Sequence, residues 1–227
     1  MKDREIDEIL RQAGQAPPVD PALLDRIAGA IQPTMRPVRP LPPRWILTAG
    51  LFAICGAIAL AGAARLGFAG IQKLGLGRSL PIFAVLAILT WLAATAWTAA
   101  MIPGSRRLTS PTALLGAACV VLLGVFALLF RDYTTEDFLH QGLACLGAGL
   151  LHAVPAGLAG WLLLRRGFAV NPIAAGLSAG ILAGLCGVSM LELHCPNFEA
   201  FHIMLWHTAV IPISGAAGAL LGWRFGR

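Results

Sequence analysis

No acidic residue lies between Asp25 and Asp132. Charge is scarce throughout: charged residues make up 12% of the chain and hydrophobic residues 57%, with a mean hydropathy of +0.76. An ordinary soluble domain is about 25% charged, so a purely soluble protein is excluded. The chain also lacks a disulfide framework. Of its five cysteines, Cys55, Cys119, Cys145 and Cys186 lie inside apolar runs, where a cysteine serves as a small core residue, and only Cys195 falls in an expected loop. Residues 1–43 contain neither Cys nor His, which excludes a metal finger there. The start, Met1-Lys2-Asp3-Arg4-Glu5, has no early apolar region, so no cleavable signal peptide is expected. No Gly-rich phosphate loop, H-E-x-x-H, paired C-x-x-C or Ser/His/Asp arrangement is present, and no carboxylate is expected in mid-span. The reading is therefore not an enzyme, and a small transporter is disfavoured by the missing intramembrane acids and inverted repeat.

What fills the acid-free stretch is a series of long apolar runs. A run of about 20 such residues spans a bilayer core, and six fit: 45–64, 80–102, 111–130, 142–164, 172–191 and 203–223. The expected fold class is all-α, a six-helix transmembrane bundle (residues 44–227) behind a short N-terminal head and tether (residues 1–43). Pro81, Pro111 and Pro172 are expected at first helical turns, Pro155 and Pro212 in mid-span with kinks near Leu151 and Thr208, and Trp45, Trp206 and Trp223 near span ends.

The net charge of +6 does not indicate nucleic-acid binding, because most arginines edge the apolar runs rather than forming a patch. Arg36, Arg39, Arg44, Arg106, Arg107, Arg165, Arg166, Arg224 and Arg227 fall on alternate loops, which places both termini in the cytoplasm by the positive-inside rule. The opposite loops hold Asp132, Glu136, Asp137, Glu192 and Glu199. The Gly-rich stretch 65–79 dissents, with Arg65, Lys73 and Arg78 on the outer side; an amphipathic segment lying in the interface is the expectation. Gly176, Gly180 and Gly184, and Ser214, Gly218 and Gly222, repeat at four-residue spacing that lets helix backbones approach closely. Packing within the bundle or a homo-oligomer through Gly176, Gly180 and Gly184 would both use it.

The head reads as two short helices. In residues 3–13, Ile6, Ile9, Leu10 and Ala13 share one face. In residues 21–32, Asp20 is the expected N-cap and Leu23, Leu24, Ile27, Ala28 and Ile31 form the stripe. A stiff tether follows, with prolines at 37, 40, 42 and 43. Two helices of this length cannot bury both stripes by themselves. The helix charge is too acidic for an anionic lipid surface, so a protein partner docking on these helices is the preferred reading.

The polar residues of the outer side are the other candidates. His194, Cys195, His202 and His207 flank the last outer loop, with His140 before the fourth span, His152 within it and Met190 nearby. His, Cys and Met are ligands for zinc and copper, so a metal or haem-linked sensor is the alternative function; a haem held by His152 and His207 is one version. Against a shared metal site, His202 and His207 are five apart, about 140° around an α-helix.

Leu193-His194-Cys195-Pro196, followed by Trp206 and a Gly-rich final span, resembles the negative regulator of sigma F family of bacterial membrane anti-sigma factors. The resemblance implies six spans in the bacterial inner membrane, a cytoplasmic N-terminus and a Leu-His-Cys motif before the last helix. It further implies that the head binds an extracytoplasmic-function sigma factor and that the bundle senses a signal and releases it. No cofactor is implied. Ile6, Ile9, Leu10, Leu24, Ile27 and Ile31 are then the expected partner face, and His194, Cys195, His202 and His207 the expected sensing residues. Where the family continues with acidic and serine residues, this chain has Asn197-Phe198-Glu199.

Overall fold

The computed structural model describes residues 8–9, 11, 20–32, 42–102, 104–105, 109–135, 137–164 and 169–225. The chain divides into two units, Met1–Pro40 and Leu41–Arg227. In the first, helix α1 covers Pro21–Ile31; Asp20 caps it by accepting from the Ala22 backbone N–H at 2.9 Å, and Pro21 begins it. No residue of α1 is buried: Leu23, Leu24, Ile27 and Ile31 stand about half exposed. Of the expected first helix, Glu8, Ile9 and Arg11 are described and helical, with Ile9 exposed and Arg11 paired to Glu8. Ile6 and Leu10 lie outside the described residues.

The second unit contains six helices long and apolar enough to cross a membrane. They are α2 (Arg44–Leu66), α4 (Leu76–Met101), α5 (Pro111–Leu129), α6 (Phe138–Leu164), α7 (Pro172–His194) and α8 (Ala200–Phe225), with a short α3 (Ala69–Leu74) between α2 and α4. The all-α bundle expected from the apolar runs is the observed fold. Several ends move outward. α4 starts at Leu76 because Gly75, at φ 72°, turns the chain directly into it, so Pro81 sits inside the helix rather than in its first turn. α6 and α7 gain Phe138 and His194 at their outer ends.

α7 is the central helix: 72% of its most apolar window is buried inside the protein, against 22–39% for the other five. Its small residues explain the position. A Cβ on Gly176 would stand 2.2 Å from the Gly218 carbonyl oxygen, and one on Gly180 2.2 Å from that of Ser214. Gly222 meets Pro172 in the same way. α7 and α8 therefore run antiparallel with their backbones in contact, as small-xxx-small stripes permit. Both stripes are consumed within the chain, which corrects the homo-oligomer reading: Gly176, Gly180 and Gly184 are not available to a second copy. Gly180→Ala is expected to lower stability by about 1–3 kcal/mol, since overpacking cannot be relieved where backbone meets backbone. Thermal unfolding in detergent should show this, with Gly116→Ala, which faces open space, as the unchanged control.

The 65–79 stretch also differs from expectation. It does not lie free as an amphipathic segment: Gly70 and Leu74 of α3 are buried. Gly70 rests on the last turn of α7, where a Cβ would come within 2.9 Å of the Glu192 and Cys195 carbonyl oxygens. Arg78 finds a cation–π partner in Phe130, 5.9 Å from the ring centroid. The α5–α6 and α7–α8 connections meet at this same end through Ala200 N–H to Asp132 O at 2.5 Å and through the stacked rings of Phe130 and Phe198.

Candidate metal centre at the acidic-loop end

Four side chains converge here that the sequence separates widely: Cys145, Cys195, His202 and His207, with one ligand atom from each lying within 4.8 Å of all the others. Cys145 comes from the first third of α6. Cys195 directly follows α7, where Pro196 prevents the helix continuing and the Cys195 N–H still closes on Leu191 O at 2.7 Å. Asn197 fixes the loop: its side chain donates to Gln141 on α6 at 2.9 Å and accepts from the Glu199 N–H at 2.8 Å. His202 and His207 come from the start of α8.

These two histidines meet because α8 is not α-helical there. Ala200–His202 is one α-turn, Ile203–His207 is a π-turn, and Thr208–Phe225 is α-helix again. In a π-turn the hydrogen bonds run i→i+5 and the chain turns less per residue, so positions 202 and 207 are brought toward one face. Their rings are 5.4 Å apart, edge to face, and both are buried. Pro212 has no N–H for the Thr208 carbonyl, so the helical ladder is also interrupted immediately beyond the π-turn. The 140° separation expected of a regular helix is thus wrong for this segment.

Cys145 Sγ and Cys195 Sγ are 3.5 Å apart, and Cys195 Sγ lies 3.6 Å from His202 Nε2. A tetrahedral zinc ion with bonds of about 2.3 Å to sulfur and 2.0–2.1 Å to nitrogen requires ligand separations of about 3.3–3.8 Å. These two edges fit, and the remaining pairs lie within 4.8 Å. Beneath the cluster, His207 Nδ1 and Glu192 Oε1 are 2.6 Å apart, with both side chains at most 3% exposed. A carboxylate only accepts, so Nδ1 carries the proton and Nε2 faces the cluster. His207 Nε2 is buried without a hydrogen-bond partner, a costly state for a polar atom that a bound ion relieves. The hydrogen bond with Cys145 and burial hold the Cys195 thiol above its ordinary range.

The remaining candidates divide. Cys195, His202 and His207 belong to the cluster. His194 does not: half-buried, it donates from Nδ1 to Gly67 O at 3.0 Å, tying α7 to the α2–α3 link. His140 is exposed. His152 donates from Nδ1 to Ala148 O at 2.8 Å and lies with Met190 against Gly62, outside the cluster that holds His207. Cys145 and Glu192 were not expected. Cys145 reads as a core cysteine, and Glu192 as a loop acid; in fact α7 continues past it and buries it. Its flanking leucines, Leu191 and Leu193, are the signal that it sits inside an apolar run.

A largely buried Cys/Cys/His/His cluster thus lies at one end of a bundle of six helices long and apolar enough to cross a membrane, and a separate N-terminal unit carries an amphipathic helix. The chain belongs to the family described as negative regulators of sigma F, which matches residues 31–227. The family name carries an anti-sigma role with it, and with that a sigma factor as partner. No curated protein and no solved structure matches the chain.

Proposed function

We propose that the chain is a membrane-anchored anti-sigma factor of the bacterial inner membrane whose cytoplasmic head sequesters an extracytoplasmic-function sigma factor. The bundle releases it when a thiophilic metal ion binds Cys145, Cys195, His202 and His207. The family match supports the regulatory role. The four-ligand cluster, with the buried His207 Nε2 lacking a hydrogen-bond partner, is the observation that carries the sensing role. The exposed apolar stripe of α1, Leu24, Ile27 and Ile31 with Leu23, supports the partner face, which would extend to Ile6, Ile9 and Leu10. This head precedes most of the family match, so the partner surface rests on the chain's own residues. Both termini are cytoplasmic in this reading, which puts the arginine-rich loops inside.

The packing of α8 supports a coupling from the cluster to the far end of the bundle. α8 begins in the cluster and ends at Phe225, and its backbone lies against α7 along the way. Interfaces packed this closely shift as units rather than deforming locally. The full-length protein in nanodiscs should co-purify with the sigma factor in metal-free buffer. Absence of that complex would remove the sequestration reading.

A further inference from the structure

Glu192 lies on the last turn of α7, behind His207 of the cluster. It is buried, its Oε1 lies 2.6 Å from His207 Nδ1, and it is the one acid among the described residues with less than a tenth of its surface exposed. Resting on the sensing reading above, we infer that Glu192 is the specificity-determining residue of the centre, a positioning group that tilts the site toward divalent over monovalent ions.

Two effects follow from the geometry. The carboxylate accepts from Nδ1–H, which fixes the His207 tautomer with its Nε2 lone pair aimed at the cluster. Such partners of a ligating imidazole orient it and increase its basicity. The second effect is charge. With both cysteines as thiolates and both histidines neutral, the ligand set carries two negative charges, and Glu192 adds a third. A divalent ion leaves one net negative charge in the buried site, whereas a monovalent ion such as Cu(I) leaves two. In a low-dielectric interior each additional unit of metal charge near a fixed carboxylate is strongly favoured. No Lys or Arg side chain is among the buried residues to cancel it.

The test uses the full-length protein in nanodiscs, titrated with Zn(II) and, anaerobically, with Cu(I), each against a competing chelator. Co(II) reports coordination through its visible ligand-field bands. Glu192→Gln keeps a hydrogen-bond acceptor for Nδ1–H and removes only the charge. The ratio of Cu(I) to Zn(II) dissociation constants should fall by roughly tenfold or more relative to the native protein, with tetrahedral Co(II) bands retained. Glu192→Asp keeps the charge; it should preserve the ratio even where both affinities weaken. An unchanged ratio in Glu192→Gln, or the same loss in Glu192→Asp, overturns the assignment of Glu192 while leaving the sensing reading intact. Failure of the native protein to bind any of the three ions overturns the sensing reading itself.

Discussion

Cys195→Ser is expected to abolish high-affinity metal binding and, with it, derepression of the sigma factor, while leaving the bundle folded. Structural zinc sites with four ligands bind with about 10–16 kcal/mol. One ligand of four therefore carries about 3 kcal/mol, more than about a hundredfold in affinity. Serine is nearly isosteric, and the backbone bond from Cys195 N–H to Leu191 O is untouched, so the end of α7 should keep its shape. Cys145→Ser should behave alike, and the double variant should lose little more than either single one, since the two thiols serve one site. Cys119→Ser is the control, because Cys119 lies on α5 outside the cluster. Thiolate-to-metal absorbance on adding Cd(II) to the purified protein reads the effect directly. Equal absorbance in Cys195→Ser and the native protein would refute the ligand assignment.

The second large effect concerns the head. Ile27→Asp in the full-length protein is expected to weaken capture of the sigma factor by more than about thirtyfold, as loss of a central apolar anchor costs about 2 kcal/mol or more. Ile27 lies mid-way along the α1 stripe with Leu23, Leu24 and Ile31, and the charge would be placed against whatever covers them. α1 is set up by its Asp20 cap and Pro21 rather than by burial, so the substitution should not disturb the bundle. Ile9→Asp should act in the same direction if both helices form one surface. Arg26→Ala is the comparison, since Arg26 lies off the stripe. Surface capture of purified sigma factor by nanodisc-embedded variants measures this; unchanged binding by Ile27→Asp would exclude α1 as the docking face.

The bundle was legible because each span is a nearly uncharged run of membrane length, and lipid imposes a helix on any such run. The glycine stripes were legible as packing surfaces but not as partners of each other, since either could have met a second copy; only the register between Gly176 and Gly218 decides it. Cys195 and His202 were visible as polar residues at a span end. Glu192 was not, because a buried acid is intelligible only with its partner, and His207 lies in the next helix. Cys145 was hidden for the same reason: a single cysteine in an apolar run looks identical whether it packs or ligates. The His202–His207 pairing was argued away by the α-helical repeat, and a five-residue π-turn reverses that argument. Pro212, four residues beyond Thr208, reads as a kink, and nothing in the sequence marks the π-turn before it. Helical periodicity predicts faces only where the helix is regular, and π-turns concentrate at functional positions.

The most direct measurement loads nanodisc-embedded full-length protein with its sigma factor and titrates in Zn(II) or Cd(II) while following the bound fraction. Release from the native protein as the metal centre fills, with the complex persisting in Cys195→Ser at the same ion concentration, is the predicted result. A native complex that stays intact with the centre filled, or equal release from Cys195→Ser, would contradict the coupling of this site to the head.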